Sequence, residues 1–507
     1  MKKHILTLSM IVMLAAAGQP ASAQRKAPTA SPEEIAQLRA DVEKQPEDLK
    51  AHEAYMKAAV ATNPEVQAQY DKWIKKYPTS ATIPFAIGKR LTSHEDPRAE
   101  KYLLKALKLD PKMAAAWSAL SNDVERRGDF EKTAEYLRKA TEAEPGNADY
   151  AFYYAMRFDD TDPAKYEALC LDLIKRFPES QRAAQALYWL SFRLEDPAKK
   201  LRYAQMMSNE FPPEKYSWSR YGMDLYWDIL LKSDPAKALQ VTERMTAMKD
   251  TEEYEKTEWA RRHDLTARMI KARQLAARPD DALQALQGAN PRRDAGAAEE
   301  LVLLKASLEA AAGRNQPAYD SLLKFQERTP SDKVHETLVT YGSKLGKTSA
   351  AVNADIRAAQ LARAEAATPF TLDAYLTKKP VSLADYKGKV VLLTYWFPGC
   401  GPCRGEFPHF ENVLKKYKGK DVVYLAINIV REQDAYVLPF VKNSGYTFTP
   451  LAEDPKRNKG NLKSPGAPTN YLIDQDGRII YSNFMIHGNN ERMLELMIDS
   501  MLAPKAG

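Results

Sequence analysis

The chain is poor in cysteine, with three in 507 residues: Cys170, Cys400 and Cys403. That excludes a scaffold stapled by disulfides and leaves one close pair and one distant thiol. An excess of one charge sign is also lacking. Against 67 Asp and Glu stand 74 Lys and Arg, a formal net charge of +7 that no segment concentrates. Phosphate binding needs a concentrated basic face, so nucleic acid is not expected as a partner. Long apolar runs are missing beyond the N-terminus. The longest elsewhere, residues 390–397, is far too short to cross a bilayer, which takes about 20 residues. What remains is a globular balance, 44% hydrophobic and 28% charged, in a chain long enough for two or more domains.

The N-terminus reads as an export signal. Lys2 and Lys3 precede a mostly apolar stretch over 5–17, which Gly18 and Pro20 break. Ala21, Ser22 and Ala23 then form an A-x-A cleavage site. Residues 1–23 are expected to be removed on export, with an uncleaved anchor as the alternative. The mature protein is then expected in an oxidising space, the periplasm or cell envelope.

Prolines recur at 46, 78, 111, 145, 178 and 212, each closing a similar phrase: EKQP, KKYP, KLDP, EAEP, KRFP, NEFP. Proline cannot continue a helix, so each marks the turn after one. A period near 34 built from two helices resembles the tetratricopeptide repeat. Its clearest unit is 112–145, where Trp117, Leu120 and Val124 give the apolar face of a first helix. Gly128 and Asp129 make the turn, and Leu137 and Ala140 face inward from the second helix. Repeats are clearest over 47–212 and degenerate over 213–365, with breaks near Pro279, Asn290-Pro291 and Pro330. Such stacks leave a concave surface that commonly binds proteins, so a protein ligand is expected here; a passive spacer is the alternative. Cys170 falls 33 residues after Leu137 and takes its inward place, as a small buried hydrophobe.

From Thr368 the pattern changes to strands and turns. Residues 389–396, KVVLLTYW, form an apolar run suited to a strand buried on both faces. The run leads into Cys400-Gly401-Pro402-Cys403 and a helix over 404–418. A second strand over 422–429, a helix near 432–443, strands over 471–473 and 479–481 about an Asp476-Gly477 turn, and a closing helix over 491–502 follow. The order predicts a multidomain protein: an all-α helical-repeat solenoid over 24–366, then an α/β thioredoxin fold over 367–507. A structural zinc site would need a second ligand pair, and His409 is the only close histidine. Attached haem would need histidine where Arg404 stands. No metal and no cofactor are expected.

Three phrases carry a family resemblance: SLADYKGKVVLLTYW (382–396), CGPCRGEFP (400–408) and GAPTNYLIDQDGRIIY (466–481). In that order and spacing they resemble the TlpA/ResA-like branch of the thioredoxin superfamily. The resemblance covers about 140 residues. Before a helix, Cys400 would be the low-pKa nucleophile and Cys403, one turn on, the resolving thiol. Pro402 would stiffen the first turn. The resemblance implies that Pro468 is cis, exposing the backbone of Ala467 to an extended client segment, and that Glu406 tunes the cysteine titration. Trp396 is expected to pack under the site or to be simple core. Many thioredoxins carry a buried aspartate six residues before the first cysteine; Thr394 stands there instead. That makes Glu406, or water, the expected proton acceptor. Lys456, Arg457, Lys459 and Lys463 form a basic loop that could steer an acidic partner.

Two functions follow. One is an exported thiol–disulfide oxidoreductase acting on protein thiol and disulfide clients. TlpA-like proteins are commonly reductases fed by a membrane electron donor, and apo-cytochrome c is among the clients they imply. The other is an envelope scaffold whose repeats are the main function, with the thioredoxin-like part a binding module.

Overall fold

A computed structural model describes residues 30–292 and 294–502; the export signal expected over 1–23 lies outside them. Nineteen helices run from Pro32 to Arg363 among the described residues, and no helix is long and apolar enough to cross a membrane. Each of the six periodic prolines lies two residues beyond a helix end, after Lys44, Lys76, Leu109, Ala143, Arg176 and Glu210. A proline ring pushes the residue before it toward extended backbone. All six such residues have φ between −121° and −135°. In the clearest unit, Asp129 caps the helix Phe130–Ala143 by accepting a hydrogen bond from the Lys132 N–H. Leu120, Val124, Leu137 and Ala140 are buried as expected, and Trp117 is only half-buried. Cys170 is fully buried, and burial pushes its thiol up to about 12. Helices continue past Pro212, but Pro279 opens the helix Pro279–Ala285 rather than ending one, a position where its missing N–H costs nothing. Most neighbouring helices pack in chain order, and Thr82–Ser93 stacks between Leu49–Ala59 and Ala114–Arg126.

The C-terminal region holds a six-stranded sheet and a two-stranded hairpin. Its strands are β1 (Glu365–Ala366), β2 (Thr371–Asp373), β3 (Pro380–Ser382), β4 (Val390–Trp396), β5 (Val422–Asn428), β6 (Thr449–Ala452), β7 (Thr469–Ile473) and β8 (Arg478–Ser482). The sheet order is β1-β8-β7-β4-β5-β6, with β4, β5 and β6 parallel and β7 antiparallel to β4. β2 and β3 form the hairpin. β4 is buried along its whole length, as its apolar run requires. Side chains alternate along it. Val390, Leu392 and Trp396 face the helices Gly401–Lys415, Asp434–Ser444 and Glu491–Leu502, whereas Val391, Leu393 and Tyr395 face Phe370, Leu372 and Leu462. The helical region is thus followed by an α/β thioredoxin fold.

The helical region grips this fold at several points. Asp123 accepts a buried hydrogen bond from the Tyr436 hydroxyl at 2.8 Å, and the Asn443 amide donates to the Arg127 carbonyl at 2.8 Å. Phe130 packs edge-on against Phe440. Far along the chain, Asp332 pairs with Arg492 and Gln360 donates to the Tyr481 hydroxyl at 2.7 Å. Gly128 has φ +71°, and a Cβ there would stand 2.6 Å from the Phe440 carbonyl oxygen. Gly128→Ala is expected to cost about 2 kcal/mol, from left-handed backbone plus a backbone clash. Gly346→Ala is the matched control, since Gly346 has φ +74° with nothing within 4 Å. Thermal unfolding of the two variants should separate them; equal melting temperatures would remove the contact from the account.

Candidate active site

β4 ends at Trp396, and the chain turns through Phe397, Pro398 and Gly399 into the helix Gly401–Lys415. Cys400 is the N-cap of that helix and Cys403 sits in its first turn, with the two joined as a disulfide. The Cys403 N–H donates to the Cys400 sulfur at 3.2 Å. A helix N-terminus presents unpaired N–H groups and the positive end of its dipole, so a thiolate formed at Cys400 is favoured there. Cys403 is fully buried and Cys400 is 2% exposed, whereas Gly401 and Pro402 are exposed. Pro402 occupies an early helical position, where proline is tolerated.

The Ala467–Pro468 peptide is cis, and it leads directly into β7. β7 pairs with β4 through Tyr395↔Thr469, so Pro468 comes level with the end of β4 from which Cys400 follows. Ala467 is half-buried against the cluster that contains both cysteines. Trp396 is fully buried in the same cluster, its ring against Phe407, Phe440 and Phe448 at 5.1–5.4 Å between centroids. Its indole N–H is buried without a hydrogen-bond partner among the described residues.

Glu406 is buried on the helix that carries Cys403. Its carboxylate accepts hydrogen bonds from the Ile486 N–H at 2.8 Å and from the Asn470 amide at 3.0 Å. Asn470 in turn accepts from the Thr394 hydroxyl at 2.8 Å. Burial pushes Glu406 up to about 7, with the two donors acting in the opposite direction. A carboxyl poised near neutrality is suited to exchanging a proton. Thr394, read as the place of a missing aspartate, therefore belongs to a Thr394–Asn470–Glu406 chain. Nothing in the residue type or spacing of Asn470 marks it in the sequence. It stands two residues beyond Pro468, and only the β4–β7 register brings it opposite Thr394.

The basic loop is less free than its sequence suggests. Arg457 and Lys459 both pair with Glu453, which is buried, and Arg457 also donates to the Tyr395 hydroxyl at 3.0 Å. These two cations are committed to holding their own loop. His409 faces Glu491 at 2.8 Å and Asp160, from the helical region, at 3.6 Å.

The C-terminal region resembles known proteins. The Redoxin family matches residues 362–491. The C-terminal region belongs to the thioredoxin-like proteins: it is 34% identical over 125 residues to the thioredoxin-like protein YneN of Bacillus subtilis, covering 24% of this chain and 72% of that protein. It is also similar to the thiol-disulfide oxidoreductase ResA of Bacillus thuringiensis subsp. konkukian, with 39% identity over 110 residues, 21% of this chain and 60% of the relative. The chain thus spans about 60% of the length of the ResA proteins it matches. Among solved structures, a thioredoxin-family thiol:disulfide interchange protein of Chlorobium tepidum aligns with 24% identity over 28% of this chain and 98% of its own, with a TM-score of 0.24.

Proposed function

We propose that the protein is an exported thiol–disulfide oxidoreductase that reduces disulfides of protein clients. The observation that carries this reading is the Cys400–Cys403 disulfide at a helix N-terminus, level with a cis proline. Cys400 is the nucleophile. Its thiolate attacks a client disulfide, one client sulfur leaves, and a mixed disulfide forms on Cys400. Cys403 then attacks Cys400, releasing the client's second thiol and restoring the internal disulfide. Glu406 takes the Cys403 proton in that second step. Trp396 backs the pair from the core, Pro402 stiffens the turn between the cysteines, and Ala467–Pro468 offers backbone to an extended client segment. An external dithiol, on a membrane donor, returns two electrons.

The division falls near residue 366, with tetratricopeptide-like repeats before it and the redox unit after it. The relatives named above are thiol-disulfide oxidoreductases or thioredoxin-like, which supports the chemistry; the segment over 1–23 supports export to the periplasm or envelope. The repeats serve protein interaction.

The test is catalysed reduction of insulin disulfides with dithiothreitol as electron source. The full protein should accelerate it, and a Cys400→Ser, Cys403→Ser variant should fall to the uncatalysed rate. Equal rates for the two would sink the reading. Acid-quenched alkylation in intact cells reads the direction. A mostly reduced pair is expected, and a mostly oxidised one would overturn the reductive assignment.

A further inference from the structure

One peptide unit, Pro398–Gly399, immediately precedes Cys400, and both of its polar atoms are held by side chains. The Gly399 N–H donates to Gln433 Oε1 at 2.6 Å. The Pro398 carbonyl accepts from Arg404 Nη1 at 3.0 Å. Neither holder stands alone, because each is anchored on a carboxylate from the helical region. Gln433 Nε2 donates to Glu95, in the turn after the helix Thr82–Ser93. Arg404 Nη2 lies 3.3 Å from Glu125, near the end of the helix Ala114–Arg126. The anchors are themselves fixed, Glu125 by Arg157 and Glu95 by Arg126 at 3.7 Å. The fit around Gly399 is tight: a Cβ there would stand 2.9 Å from Gln433 and 3.0 Å from Glu95.

Thiol–disulfide exchange requires a thiolate to approach the attacked sulfur along the S–S axis. With Cys400 almost wholly buried, that approach needs movement of the turn that carries it. The Cys400 N–H donates to the Phe397 carbonyl within the turn itself; the hold on the turn from outside it that leads back to the helical region is the one Gln433 and Arg404 make on the preceding peptide. We propose that Glu95 and Glu125 are positioning residues for the redox pair: through Gln433 and Arg404 they hold the peptide before Cys400 and keep its sulfur shielded, so that attack is limited by release of this hold. The proposal rests on the redox reading above. It also gives the helical region a part in the chemistry of the pair.

The probe is dithiothreitol acting on the oxidised full-length protein. One of its thiolates attacks Cys400 Sγ; a bond to the reductant forms, the Cys400–Cys403 bond breaks, and Cys403 leaves as a thiolate. The reductant's second thiol then closes on its own sulfur, freeing Cys400. Two electrons pass to the protein, and cyclic oxidised dithiothreitol leaves. The rate is read by acid quench and alkylation mass shift.

Glu95→Ala, Glu125→Ala together should be reduced at least about three-fold faster than the wild type, equivalent to about 0.6 kcal/mol of barrier. Glu95→Gln, Glu125→Gln keeps an acceptor for each holder and should stay close to the wild-type rate. Glu167→Ala, a carboxylate within the repeats that pairs with Lys199, should change nothing. An unchanged or slower alanine pair overturns the proposal, as does a glutamine pair as fast as the alanine pair. Should the alanine pair fail to fold, Gln433→Ala leaves the helical region intact and frees the Gly399 N–H, and an unchanged rate there overturns the proposal equally. A wild-type disulfide that dithiothreitol cannot reduce would instead count against the redox reading itself.

Discussion

Alanine at Cys403 is expected to stop the reaction after its first bond. Cys400 keeps its place as N-cap and can still attack a client disulfide, but no thiol remains one turn away to release the adduct. Escape then depends on external thiol at millimolar concentration. A well-placed intramolecular group acts at an effective molarity that can reach about 10⁵ M or more, so a loss on the order of 10³-fold in turnover is a conservative expectation. The readout is covalent: non-reducing electrophoresis and mass spectrometry should show client bound to Cys400 in the Cys403→Ala protein. A Cys400→Ser, Cys403→Ala control should show none. Recovery of equal adduct from both would remove Cys400 from the role of nucleophile.

Glutamine at Glu406 is expected to flatten the pH dependence of stability. The folded chain holds this carboxyl at about 7, while in the unfolded chain it ionises near its ordinary value of 4.5. Below about pH 4.5 both states are protonated and the residue contributes no difference. Between 4.5 and 7 the unfolded state loses its proton first, so stability falls as pH rises. Above 7 the full cost of a buried carboxylate applies, about 3 kcal/mol at 1.36 kcal/mol per unit. Urea denaturation should therefore show Glu406→Gln more stable than the wild type by about 2–3 kcal/mol at pH 8, somewhat less than the full cost because an amide nitrogen would now face the Asn470 donor. Near pH 4.5 the gain should vanish. A gain of equal size at both pH values would assign it to packing rather than ionisation.

The sequence made the local architecture legible wherever one residue type forces one backbone state. Each of the six prolines marked its helix end to a constant offset of two residues, and the closing helix runs over the residues its pattern predicts, Glu491–Leu502. The apolar run over 389–396 became β4, and the spacing of Cys400 and Cys403 placed both at a helix start. The helix after them begins at Gly401 and ends at Lys415, three residues earlier at each end than its pattern suggested. Strands without a periodic signal are not legible in the sequence. β1 is two residues long, and β6 contains Pro450, which argues against a strand unless it lies at a sheet edge, as β6 does. Most elusive were partners distant in sequence. Asn470 answers Glu406 across 64 residues, and Gln433 answers Glu95 across 338. Neither pairing leaves a trace in composition or period, because each depends on two elements meeting rather than on either element alone.

A stack of helix pairs anchored at one end is a spring, free to change its pitch at little cost. This stack is fastened to the redox region along its length: near its start at Asp123 and Gly128, midway where Asp160 faces His409 and Lys200 donates to Asn489, and by its last helices at Asp332 and Gln360. It is therefore closer to a splint than to a spring. A force that opens or tightens its curve loads these fastenings, and the early one adjoins the turn that carries Cys400.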